Sequence, residues 1–214
     1  MPAGEAYIQA NKKKLNSNIN PKWQMMESFL GLLPNSVLEK VGVSDKKGAE
    51  FLSHYLAGSG KPKKLNLSDD YWTKLINLAN ETGWEKSTNP KAPQGSYHSM
   101  VSPFNLKDNL LSGDNIPSVI GETTTIRKTP TANKDTLYSI QEDFDFKQGS
   151  DKSTQYTSTR YFDKRLVELL KKFDSDVFMN WSGKKDAVRI DPTGKGKSFA
   201  IFSEYFKKRK KESK

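Results

Sequence analysis

Between Gly121 and Phe146 two arms rich in β-branched and aromatic residues flank a turn. No other stretch limits the possible folds so strongly. The first arm reads Gly-Glu-Thr-Thr-Thr-Ile-Arg-Lys, the joint Thr-Pro-Thr-Ala-Asn-Lys-Asp, and the second arm Thr-Leu-Tyr-Ser-Ile-Gln-Glu-Asp-Phe-Asp-Phe. Strand-forming arms around a Pro/Asn/Asp joint predict a hairpin. The two-residue period of a strand puts Leu137, Ser139, Gln141 and Asp143 on one face, and Tyr138, Ile140, Glu142 and Phe144 on the other. Glu142, Asp143 and Asp145 crowd the end of the second arm. Carboxylates this close repel, so the run suits either a solvated strand end or a site that binds cations.

The residues before the hairpin read as helices. Pro21 opens the first, with Trp23, Met26, Phe29, Leu30 and Leu33 at helical spacing and Pro34 as its stop. A short second helix starts at Asn35 or Ser36 and ends at Gly42. Ser44 caps a third, Asp45 to about Ala57, with Ala49, Leu52, Tyr55 and Leu56 as its apolar stripe and a Gly58-Ser59-Gly60-Lys61-Pro62 stop. Ser68 caps a fourth, with Asp69 and Asp70 suited to its dipole and Tyr71, Trp72, Leu75, Leu78 and Ala79 inward. Past residue 84 the pattern changes. A loop covers 85–95, a strand Ser96 to Phe104, and a polar connection 105–116. Beyond the hairpin come a helix from about Arg160 to Phe173, paired strands around Gly183, and a last strand or helix over Phe199–Phe206. Helices first, then a mostly antiparallel sheet crossed by one helix, predict an α+β fold. The expected organisation is a polar arm (1–20), a helical region (21–84), a β-rich region packed with the helices (85–206), and a basic tail (207–214).

A hydrophobic fraction of 34% is low, but 11 Phe, 8 Tyr and 4 Trp can close a core. The formal charge of +10 is uneven: Lys-Lys-Arg-Lys-Lys-Glu-Ser-Lys at the C-terminus and Lys12-Lys13-Lys14 supply much of it. Such a tail is either a solvated end or a contact for nucleic acid or an anionic membrane surface. There is no cysteine, which removes disulfides, thiolate zinc sites and a cysteine nucleophile. No run of about 18 apolar residues predicts a transmembrane helix. The N-terminus also lacks the basic-then-apolar pattern of a secretory signal. Asp191-Pro-Thr-Gly-Lys-Gly-Lys-Ser198 ends like a phosphate loop, but Asp191 stands where its first glycine belongs, so the run reads as a plain turn. His54 and His98 are the only histidines.

The order of the pieces resembles colicin M-type bacteriocins over about residues 25–192. The segment Ser-His-Tyr-Leu-Ala-Gly-Ser-Gly-Lys-Pro is similar to that family's His-Tyr-Leu-x-Gly-x-Gly. Gly-Glu-Thr-Thr-Thr-Ile, the hairpin and Asp-Phe-Asp-Phe resemble its strand running into an Asp-x-Tyr-Asp-Phe-Asn motif. The resemblance implies a distorted, open β-barrel-like sheet and magnesium-aided hydrolysis of the lipid-linked pyrophosphate of lipid II. It also implies secretion or delivery to a target periplasm, and an immunity protein as partner. The family's site uses two aspartates and a tyrosine, with a histidine and an arginine a few residues later. Here the second aspartate is Asp145, the tyrosine position is Phe144, and the first aspartate position is Glu142 beside Asp143. No histidine follows His98. Arg160 is the first arginine after the motif and Lys152 the nearer cation. The implied catalytic set is therefore Asp145, Glu142 and Asp143, with His54 as substitute if the third helix packs beside the hairpin end. Asp145 and Glu142 would hold Mg2+, and Arg160 and Lys152 would bind substrate. The alternative expectation is an inactive scaffold of a phage or secretion particle, using its basic tail for binding.

Overall fold

The computed structural model describes residues 19–40, 46–102, 119–120, 123–133, 135–144, 161–174, 178–184, 187–192 and 196–208. The arm before residue 19, the Ser44 cap, the 105–116 connection, Asp145, Lys152, Arg160 and the tail from Arg209 lie outside them.

Four helices come first: α1 (Pro21–Leu32), α2 (Asn35–Lys40), α3 (Lys46–Ala57) and α4 (Asp69–Thr82). The start of α1 follows local rules. Asn20 accepts the backbone N–H groups of Lys22 and Trp23 on its side chain, and Pro21 takes the first position, where no N–H is needed. In the same way Ser68 Oγ accepts Tyr71 N–H at 3.2 Å, while Asp69 and Asp70 occupy the first turn of α4.

The strands are β1 (Lys63–Lys64), β2 (Glu85–Lys86), β3 (Tyr97–Val101), β4 (Thr124–Pro130), β5 (Thr136–Phe144), β6 (Tyr161–Asp163), β7 (Phe178–Lys184), β8 (Ala187–Pro192) and β9 (Phe199–Lys207). Between β6 and β7 runs the helix α5 (Lys164–Phe173). The predicted hairpin forms as β4 and β5, with Ile126 opposite Ile140 and Thr131 N–H donating to Asp135 O across the turn. One mixed sheet has the order β1-β9-β5-β4-β3-β2, parallel only between β1 and β9. A second, β6-β8-β7, is antiparallel.

The fold is α+β as expected, but the sheet is not barrel-like. Its edges, β1 and β2, are two residues long and do not pair with each other, so the six strands stay open. Helices close the core instead. α3 is buried on almost every side, from Gly48 to Ala57 with Glu50 excepted. Phe51 and Tyr55 reach Phe144, which stacks on Phe199 at 5.1 Å. α4 adds Trp72, stacked on Tyr205, and accepts Ser99 Oγ on Ala79 O. On the far side of α3 lies α1, with Trp23 and Leu30 buried. Trp23 also meets α5: its ring packs edge-on against Phe173, and its Nε1 donates to Asp174 at 3.0 Å. Two further expectations change. The strands around Gly183 belong to the second sheet, and Tyr161–Asp163 are a strand, so the amphipathic helix begins only at Lys164.

Candidate functional site

The sheet has a helix-covered face and an outer face. Burial follows the two-residue period: Thr124, Ile126, Tyr138, Ile140 and Phe144 are covered, while Arg127, Gln141 and Asp143 stand outward. Strand register then builds a polar row across the outer face. Glu85 is opposite His98, His98 opposite Arg127, Arg127 opposite Ser139, and Ser139 opposite Glu204. Directly opposed side chains lie about 5 Å apart at Cβ, so His98 and Arg127 are immediate neighbours. His98 Nε2 lies 3.2 Å from Glu85 Oε2. With the Glu85 carboxylate accepting there, Nε2–H is the donor and Nδ1 is the acceptor of the neutral ring.

A cleft of about 700 Å³ opens over His98 and Arg127 of this row. Its floor includes His98, Arg127, Thr125, Gln141, Glu142 and Asp143, and its wall is the loop of residues 87–96. The wall is fixed by its own backbone: Ser87 N–H donates to Ser96 O at 2.9 Å, Ala92 N–H to Asn89 O, and Ser96 Oγ to Pro93 O at 2.7 Å. Gly95, at φ +78°, allows the return. Asp143 is four residues along β5 from Ser139, which is roughly 13 Å at strand rise. The cleft is therefore elongated, with a basic end at Arg127 and His98 and an acidic end at Glu142 and Asp143. Glu142 Oε1 accepts Thr125 N–H at 3.3 Å.

Magnesium needs only one or two carboxylates and completes its shell with water and phosphate oxygens. Alternation turns Glu142 and Asp143 to opposite faces, so the two do not share one ion, and no cluster of three metal-ligating side chains forms among the described residues.

His54 lies elsewhere. α3 does pack against the hairpin end through Phe144, but on the helix-covered face, and His54 does not line the cleft. Its ring stands edge-on to Phe199 at 4.5 Å. Nδ1–H donates to both oxygens of Glu27 at 2.8 and 2.9 Å, and Nε2–H points to Lys61 O at 2.8 Å. Lys63 Nζ meets the same Glu27 at 2.7 Å. Burial pushes the Glu27 carboxyl up, but hydrogen bonds from His54 and Lys63, and their charges, outweigh it and hold the group below its ordinary range. The cluster joins α1, α3 and β1.

The structure thus gathers Glu142 and Asp143 into the cleft and leaves His54 in the core. It also brings in two residues that do not follow the acidic motif, His98 and Arg127. Both precede that motif in sequence. The visible signal was alternation on the first arm, which sets Arg127 on one face with Thr125; the partner strand was not visible. Comparison with protein-family models, with characterised proteins and with solved structures finds no match.

Proposed function

We propose that this chain is a colicin M-like antibacterial effector whose outer-face cleft hydrolyses a lipid-linked pyrophosphate. One observation carries the proposal: a histidine–arginine pair and the acidic end of the hairpin line the same cleft. A pyrophosphate is a dense anion, and a guanidinium recognises it with a planar fork of donors. Arg127 takes that role, and His98, oriented by Glu85, accepts at Nδ1 the proton of the water that attacks phosphorus as the bond to the leaving phosphate breaks. Asp143 and Asp145 would hold magnesium, which would offset the negative charge that develops on the leaving phosphate. His98 thereby replaces the histidine that the family carries after its motif.

The test is hydrolysis of purified lipid II with magnesium. Arg127→Ala, His98→Gln, Asp143→Asn and Asp145→Asn are each expected to slow release of the pyrophosphorylated sugar-peptide by about 10²-fold or more, the usual scale for a lost catalytic group. Wild-type rates in Arg127→Ala and His98→Gln would overturn the site. No release by the wild-type protein would overturn the activity.

A further inference from the structure

Five of the nine large hydrophobic side chains that stand exposed among the described residues fall between Ile19 and Val37. Three of them, Met25, Phe29 and Leu32, recur at i, i+4 and i+7 on α1 and are 73%, 56% and 84% exposed. A helical wheel puts them on one side of α1, with Lys22 and Ser28, and puts the buried Trp23 and Leu30 on the other. α1 is therefore apolar on both its core side and its outward side, and the outward side carries no carboxylate.

Lysines stand at both ends of this face. Lys22 opens α1 and is anchored by donating to Phe173 O at 2.7 Å. Lys46 closes it, donating to Leu33 O at 2.6 Å and reaching Gly31 O, with Glu50 Oε1 3.8 Å from its Nζ. Lys40 is exposed in the last turn of α2. The acids of the α1–α2 segment are Glu27, already neutralised by His54 and Lys63, and Glu39. A short apolar strip between cations suits a shallow layer of acyl chains beneath anionic headgroups, the arrangement of an interfacial helix. A protein partner fits less well: a stable interface uses about 20–30 residues a side, and this face offers three large side chains.

We infer that the outward face of α1 is a docking surface for an anionic phospholipid membrane, with Met25, Phe29 and Leu32 entering the acyl boundary and the lysines meeting phosphate. The surface shares no residue with the cleft, and the inference does not need the hydrolytic activity.

The experiment is sedimentation of the full chain with vesicles of phosphatidylglycerol and phosphatidylcholine. The variant Met25→Ser/Phe29→Ser/Leu32→Ser is expected to lose at least tenfold in binding while keeping its circular dichroism and melting temperature. A second variant neutralises the tail with Lys208→Gln, Arg209→Gln, Lys210→Gln and Lys211→Gln, and is expected to retain vesicle binding. Arg127→Ala, which tests the cleft, should bind vesicles as the wild type does, so failure of the hydrolysis and failure of docking read out separately. Equal binding by the wild type and the α1 variant, loss of binding in the tail variant alone, or no vesicle binding would each overturn the inference. So would a concentration-dependent dimer that the α1 variant abolishes in the absence of vesicles, which would assign the face to a second copy of the chain.

Discussion

A Cβ added at Gly196 would lie 1.9 Å from Tyr55 Cε1 and 2.1 Å from Cδ1. The ring cannot easily retreat, because Tyr55 packs on Phe144, and the next residue, Lys197, donates its N–H to Tyr55 O at 2.9 Å. Gly196→Ala is expected to cost about 1–3 kcal/mol by overpacking, read as a lower melting temperature. In the sequence this glycine belongs to a run that ends like a phosphate loop; in the fold it makes room for an aromatic ring. The glycine was visible, and the tyrosine it serves, far away in sequence, was not. Glu27 gives a second prediction at this scale. Its folded pKa lies below the ordinary value of 4.5, so the charged carboxylate stabilises the fold. That contribution is fully present above the unfolded pKa and is lost as pH falls through the folded one. Glu27→Gln should destabilise by about 1–3 kcal/mol at neutral pH, since Lys63 and His54 lose their partner. The gap between its melting curve and that of the wild type should close as pH drops below 4.5.

At the scale of the element, β5 separates structure from chemistry within two adjacent residues. Phe144 faces the helices and stacks on Phe199, and Asp143 faces outward into the cleft. Phe144→Ala is expected to cost about 3–5 kcal/mol. Asp143→Asn should leave stability within about 0.5 kcal/mol while reducing turnover; denaturant titration beside the hydrolysis assay checks both. This alternation was legible from the sequence, as were the starts of α1 and α4, because caps and periods are local. β1 and β2 were not, since two residues carry no period. α3 was read with one apolar stripe, yet nearly all of it is buried, because α1 covers the side that the sheet leaves open. His54, one step off that stripe, is drawn into a partly buried ion cluster rather than a site.

For the whole molecule, the α+β class followed from the order of patterns, but the open sheet did not. Barrel-like closure follows only from the resemblance, and the two-residue edges β1 and β2, which do not pair with each other, leave the sheet open. The cleft was half legible. Its acidic end is a continuous run, whereas its basic end exists only because β3 pairs with β4 in a register that brings His98 beside Arg127. β9 sits one strand in from the edge of the main sheet, between β1 and β5. A ribosome makes it after every other strand of that sheet, so β5 must wait with an open edge while the remainder of the chain is synthesised. Premature termination before Phe199 would not merely shorten the product: it would release a nascent polypeptide with a long, unprotected strand, ready to recruit copies of itself.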